Sequence, residues 1–307
     1  KGEKGDLDCT YYVLKDNLAK AKKQFQDVPK MLKAFEYWFG PYPFYEDSYK
    51  LVEAPYLGME HQSSITYGNG FQNGYRGRDL SGTGWGLKFD FIIIHESGHE
   101  WFANSITNKD IADMWIHESF TNYSESLFVE YYYGKEAGFE YVRGTRKGID
   151  NDKPIIGHYD VNSEGSSDMY PKGGNMLHTL RQIVNNDEKW REILRGLNST
   201  FYHQTVTTKQ IEDYLSNATG VNLTAFFNQY LRDTRIPTLE YFFKKGFINF
   251  RWTNCVSGFD MPVKVTLNGA EQVLAPKTEW KNIATKTENQ KLDVNRNFYV
   301  ASFNITE

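Results

Sequence analysis

From Asp16 to Phe39 the apolar residues Leu18, Phe25, Val28, Leu32, Phe35 and Phe39 recur at spacings of three, four or seven, with lysines between them. That spacing places them on one face of a helix. Pro29 is expected to break the segment in two, since an interior proline removes a backbone donor and crowds the preceding turn. Gly40-Pro41-Tyr42-Pro43 stops it. Tyr49 to Tyr56 then reads as extended, and Ser64 to Tyr67 as its continuation beyond Gly58-Met59-Glu60-His61. Residues 68 to 86 hold Gly68, Gly70, Gly74, Gly77, Gly82, Gly84 and Gly86 and read as loop, either lining a cleft or simply connecting two elements.

Phe89 to Ile106 is apolar on most faces and predicts a buried helix, and Asp113 to Tyr133 predicts a second. Further helices are expected at Lys135 to Gly148, Lys172 to Val184, Glu188 to Leu197, Thr208 to Asn217 and Leu223 to Leu231. Past Arg235-Ile236-Pro237 the period shortens to two. Leu239 to Phe243, Phe247 to Thr253, Pro262 to Leu267 and Gln272 to Leu274 are short extended runs, with turns at Lys245-Gly246 and Asn268-Gly269. The pattern is that of an α+β chain with a mixed and then mainly helical unit over 1–234 and a small β domain over 235–307.

Chemistry enters at His95-Glu96-Ser97-Gly98-His99. Histidines at i and i+4 share one helix face and can grip one metal ion, with Glu96 beside the water that the metal holds. The eighteen residues from 100 to 117 separate His99 from Glu118, in the first turns of the next expected helix. Two histidines and a glutamate are the ligand set of a catalytic zinc, one ion per chain, whose fourth position is left to water. Zinc lowers the pKa of bound water to about 7, so Glu96 can take its proton as hydroxide attacks a carbonyl and then pass it to the leaving amine. Glu125, two turns after Glu118 on the same face, either orients a ligand or is a surface carboxylate. His61, His117, His158, His178 and His203 stand outside ligand spacing and read as packing or hydrogen-bonding residues.

These segments resemble a known family. His95-Glu96-Ser97-Gly98-His99-Glu100-Trp101-Phe102-Ala103-Asn104, followed by Trp115-Ile116-His117-Glu118-Ser119-Phe120, is similar to the gluzincin M1 aminopeptidases, and Gly58-Met59-Glu60-His61 matches that family's strand ahead of the zinc helix. The resemblance implies a thermolysin-like catalytic domain followed by a β-sandwich-like domain. It also implies that Gly58, Met59 and Glu60 bind substrate, with Glu60 taking the free amino group of a peptide, as a carboxylate at the end of a cleft-lining strand can. Tyr170-Pro171-Lys172-Gly173-Gly174 resembles the family segment whose tyrosine assists the oxyanion, which gives Tyr170 that role. His61 and His117 stand where asparagine is usual, Ser119 where glycine is, and Glu100 where glutamine is common. These departures bear on the shape and charge of the pocket. A large N-terminal β domain is also implied, which residues 1 to 48 are too few to supply, so the chain is expected to start near the catalytic-domain boundary.

Composition excludes more than it selects. The 307 residues are 40% hydrophobic with a net charge of -4, which leaves no basic footprint for nucleic acid. The most apolar run, Phe89 to Ile94, is far short of the roughly 20 residues that span a bilayer, so no transmembrane segment is expected. The first residues lack the apolar core of a signal peptide, and the natural start is expected to have been removed. With only Cys9 and Cys255, a bacterial envelope or extracellular setting fits slightly better than a cytosolic one, and the compartment stays open. The expected function is zinc-dependent removal of N-terminal residues from peptides. An endopeptidase on the same core and an inactive, peptidase-like binding or scaffold protein are the alternatives.

Overall fold

The computed structural model describes residues 2–285 and 290–305. The chain begins with β1 (Cys9–Tyr12), α1 (Leu18–Gln24) and α2 (Asp27–Phe39). The break between the two helices falls at Phe25-Gln26 and not at Pro29, which sits in the first turn of α2. A proline is tolerated there because the first turn's N–H groups have no intrahelical acceptor.

β2 (Tyr49–Glu53), β3 (Gly58–Met59) and β4 (Ile65–Tyr67) join β1 in a sheet of order β1-β2-β4-β3. Ser64 to Tyr67 therefore does not extend the preceding strand. The chain reverses at a turn in which Ser64 N–H donates to His61 C=O at 2.9 Å, and β4 returns beside β2, parallel to it. β3 pairs antiparallel with β4 alone and forms the sheet edge.

α3 (Phe91–Gly98) is capped by the buried Asp90, whose carboxylate accepts from Ile92 and Ile93 N–H and from Tyr67, Gln24 and Asn69 side chains. Helical winding does not continue regularly to Ile106. Glu100–Ser105 is a distorted turn with Phe102 at φ -121°, ψ 74° and Ala103 at φ 161°, ψ -57°, and Ile106 opens β5 (Ile106–Asn108). All of Glu100–Ser105 but Asn104 is buried, including the apolar Trp101, Phe102 and Ala103, so periodicity alone conceals where the backbone leaves the helix.

α4 (Trp115–Tyr133), α5 (Lys135–Gly144), α6 (Pro171–Val184), α7 (Asp187–Thr200), β6 (Gln204–Val206), α8 (Thr208–Thr219) and α9 (Thr224–Arg232) complete the helical part. α5 ends earlier than its sequence pattern suggests, passing into a 3-10 turn over Thr145–Gly148. α4 and α6 are joined by a bidentate bond from the buried Arg181 guanidinium to Glu130, at 2.6 and 2.8 Å.

Beyond α9 lie β7 (Thr238–Lys244), β8 (Phe247–Thr253), β9 (Val263–Leu267), β10 (Ala270–Leu274), β11 (Lys281–Ala284), β12 (Leu292–Val294) and β13 (Ala301–Asn304). They form sheets of order β10-β9-β12 and β11-β8-β7-β13. Lys245-Gly246 and Asn268-Gly269 turn their hairpins with positive φ at both residues, as tight two-residue loops require. Val263, Val265 and Leu267 are buried in alternation, as are Ile248, Phe250 and Trp252. These strands meet the helices at Tyr299, whose N–H donates to Thr179 Oγ1 at 3.0 Å and whose C=O accepts from the Tyr230 hydroxyl at 2.8 Å. Cys9 and Cys255 are free thiols, and among the described residues no helix is long and apolar enough to cross a membrane.

Candidate active site

α3 carries His95, His99 follows as its C-terminal cap with the backbone still helical, and α4 brings Glu118 against both. Glu118 Oε2 lies 3.5 Å from His95 Nε2 and 3.4 Å from His99 Nε2, and all three residues are buried. Both imidazoles are locked through their other nitrogen. His95 Nδ1–H donates to Glu125 Oε1 at 2.8 Å, while His99 Nδ1–H donates to the Phe102 carbonyl at 3.0 Å, with Thr121 Oγ1 3.2 Å away. These acceptors fix the tautomer that turns each Nε2 lone pair towards Glu118.

Glu118 Oε2 is completely buried and has no hydrogen-bond partner. A buried carboxylate oxygen left unpaired is costly, and two imidazole lone pairs facing it add no donor. A cation at the meeting point satisfies all three atoms. Burial alone would raise the Glu118 carboxyl pKa, and positive charge on the two imidazoles, whose place a bound cation takes, outweighs it and holds the group below the ordinary carboxylate range. Two nitrogens and one oxygen from three residues are the donor set that suits zinc.

Glu96 sits beside this cluster, and burial raises its pKa. The ligand atoms of Glu60, Glu96 and His99 all lie within 4.8 Å of one another, so Glu60, directly after β3, joins the same cluster. The Glu60 carbonyl is held by Asn104 Nδ2 at 2.8 Å. Gly58 rests directly on Glu96: a Cβ there would stand 2.9 Å from Glu96 Oε1 and 2.8 Å from Ile92 Cγ2. Met59, by contrast, is exposed. Tyr170 joins from the start of α6, its ring 6.1 Å from that of His95. Burial and then the charge of Glu118 raise the phenol pKa, so it stays protonated at neutral pH.

Glu125 is fully buried and accepts from His95 Nδ1, from the Tyr141 hydroxyl at 2.6 Å and, at 3.4 Å, from Asn122 Nδ2. The remaining histidines contribute no atom to these clusters. His117 Nε2 accepts from Asn108 N–H at 2.9 Å, and burial lowers its pKa to about 3, so it adds no charge. His178 is buried against Asn297, His203 stacks between Phe44 and Tyr202, and His61 and His158 are exposed. Glu100 also points elsewhere, accepting from Ser63 N–H at 2.8 Å and the Tyr42 hydroxyl at 3.1 Å, with burial raising its pKa to about 7. The glycine-rich loop reaches the site through aromatic contacts: Tyr75 packs on Phe91 at 5.4 Å, and Phe91 stacks on His95 at 5.1 Å.

A sequence model described as the peptidase family M1 domain matches residues 24–230. The chain belongs to peptidase family M1. It is 26% identical over 230 residues to leukotriene A-4 hydrolase of Xenopus laevis, covering 70% of this chain and 36% of that protein. It is also 26% identical over 229 residues to aminopeptidase N of Lactobacillus helveticus, covering 65% of this chain and 26% of the relative. The M1 chain described here thus spans about a third or less of the length of these relatives. In fold it is similar to Legionella pneumophila aminopeptidase A, solved with aspartic acid, at a TM-score of 0.75 and 14% identity over 99% of this chain and 37% of that one. A mutant M1 zinc metallopeptidase from Deinococcus radiodurans, bound to a Tyr-Ser-Ala substrate, gives a TM-score of 0.52 and 21% identity over 66% of this chain and 43% of that one.

Several parts of this M1 site escape a reading of motifs. The Phe102 carbonyl, Thr121, Asn104 and Tyr141 all touch a site residue, yet none belongs to a ligand pattern. Phe102 and Asn104 lie inside a segment that the resemblance covers, but their contacts there are made through a main-chain carbonyl and a side-chain amide, which spacing does not reveal.

Proposed function

We propose that this chain is the catalytic part, centred on 1–234, of a zinc-dependent aminopeptidase. The observation that carries the reading is the placement of Glu60 within 4.8 Å of both Glu96 and His99. A carboxylate so close to Glu96 and His99 is positioned for the ammonium of a substrate's first residue.

His95, His99 and Glu118 would hold the zinc, with Glu125 orienting His95. Bound zinc would act as a Lewis acid that polarises the scissile carbonyl and acidifies water. Glu96 takes the proton of the attacking water and returns it to the leaving amine. Tyr170 donates its hydroxyl to the oxyanion that develops on the carbonyl. The main chain of Gly58 and Met59, at the free edge of the sheet, pairs with the substrate backbone.

The test combines a variant and a substrate pair. Glu96→Gln should keep stoichiometric zinc and lose about 10²- to 10⁴-fold in turnover. Acetylating the substrate amine should abolish cleavage. Equal cleavage of acetylated and free peptides would reassign the chain as an endopeptidase, full activity of Glu96→Gln would remove the base, and a chain without zinc would leave only a binding role.

A further inference from the structure

We propose that Ser119 is a positioning residue for Tyr170, a role that rests on Tyr170 acting as the oxyanion donor. Ser119 follows the metal-ligand candidate Glu118 on α4, and its hydroxyl donates to the Met169 carbonyl at 2.8 Å. That carbonyl belongs to the peptide group joining Met169 to Tyr170. The N–H of the same peptide group donates to Ser167 C=O at 3.1 Å. Both polar atoms of one planar unit are therefore fixed, and with them the direction in which the Tyr170 side chain leaves the backbone.

The packing around this bond is built for it. Ser119 is fully buried, and Gly173, one turn into α6, faces it so closely that any Cβ there would overlap the Ser119 hydroxyl. Gly173 thus gives the serine its space, and α4 and α6 approach at this point. Two consecutive residues of α4 then address the two ends of one tyrosine: Glu118 lies by its hydroxyl, and Ser119 holds its backbone.

A double-mutant cycle on the natural full-length protein tests the coupling. Ser119→Ala should lower kcat about 3- to 10-fold, the range of one net hydrogen bond, with KM and zinc content unchanged. In a Tyr170→Phe background the same replacement should cost nothing further, because the group it positions is gone. An equal loss in both backgrounds, or no loss in either, overturns the role of Ser119 while leaving Tyr170 in place. A Tyr170→Phe protein as active as the wild type overturns the role of Tyr170 itself, and that of Ser119 with it.

Discussion

Glu125 accepts from His95 Nδ1 at 2.8 Å while its other oxygen accepts from the Tyr141 hydroxyl at 2.6 Å, so one buried carboxylate couples a histidine on α3 to a tyrosine on α5. The negative charge raises the basicity of the imidazole at its far nitrogen. Glu125→Gln should weaken zinc binding about 10-fold and Glu125→Ala up to about 100-fold, read by competition with a chelator at fixed pH. Unchanged affinity in both variants would show that His95 needs no such support.

Gly58→Ala should damage catalysis without damaging the metal site. The added methyl would press on Glu96 and on Ile92, which supply its three nearest atoms. Displacing the base by about 1 Å can cost about 100-fold in kcat, with zinc content unchanged. Met59→Ala, at an exposed position, should change kcat by less than about 3-fold. Steady-state kinetics on the two variants, alongside metal analysis, check the contrast.

Zinc should stabilise the fold as well as activate it. The unpartnered Glu118 oxygen gains its partner only when a cation binds, and an ion present at a thousand times its dissociation constant contributes about 4 kcal/mol. Calorimetry with and without a chelator should show a lower melting temperature for the metal-free protein, recovering as zinc is added back. Identical melting curves would mean that the ion is not held by a preformed buried site.

His178 makes stability depend on acidity. Its Nε2 lies 3.1 Å from Asn297 Oδ1, and burial, aided by the charges of Arg181, Arg146 and Arg143 and opposed by the Asn297 bond, lowers its pKa to about 3. In the unfolded chain the group titrates near 6.5, so as pH falls below that value the unfolded state takes up a proton that the folded state refuses. The contribution is present above pH 6.5 and is lost on descending towards 3. Between pH 7 and 5 it amounts to about 2 kcal/mol. Urea midpoints should fall less over this interval in His178→Gln than in the wild type.

The parts of the site that converge by helical periodicity were legible in the sequence. His95 and His99 at i and i+4, and Glu118 in the first turns of α4, depend only on local winding and on the packing of two adjacent helices. Glu60 and Tyr170 were reached through likeness to a family, since neither a strand-edge glutamate nor one tyrosine among twenty-one carries a local signal. What stayed hidden is contact between distant backbone and side-chain atoms, as in the bond from Asn104 to the Glu60 carbonyl. β1 was hidden for another reason: all four of its residues are exposed, so no buried face marks it in the sequence. The β hairpins were the easiest part to read, because Lys245-Gly246 and Asn268-Gly269 combine turn chemistry with alternating burial.

The departure from regular winding after Gly98 has a consequence for how this segment can vary. A carbonyl inside an intact helix is directed along the axis towards an N–H four residues on, whereas that of Phe102 turns back to the His99 ring. Inserting or deleting a single residue between His99 and Ile106 would rotate this acceptor away and shift the register of β5 against β6 by one place. Six residues with no metal ligand among them are thereby as intolerant of length change as the motif they follow, although point substitutions that keep their bulk are open to them.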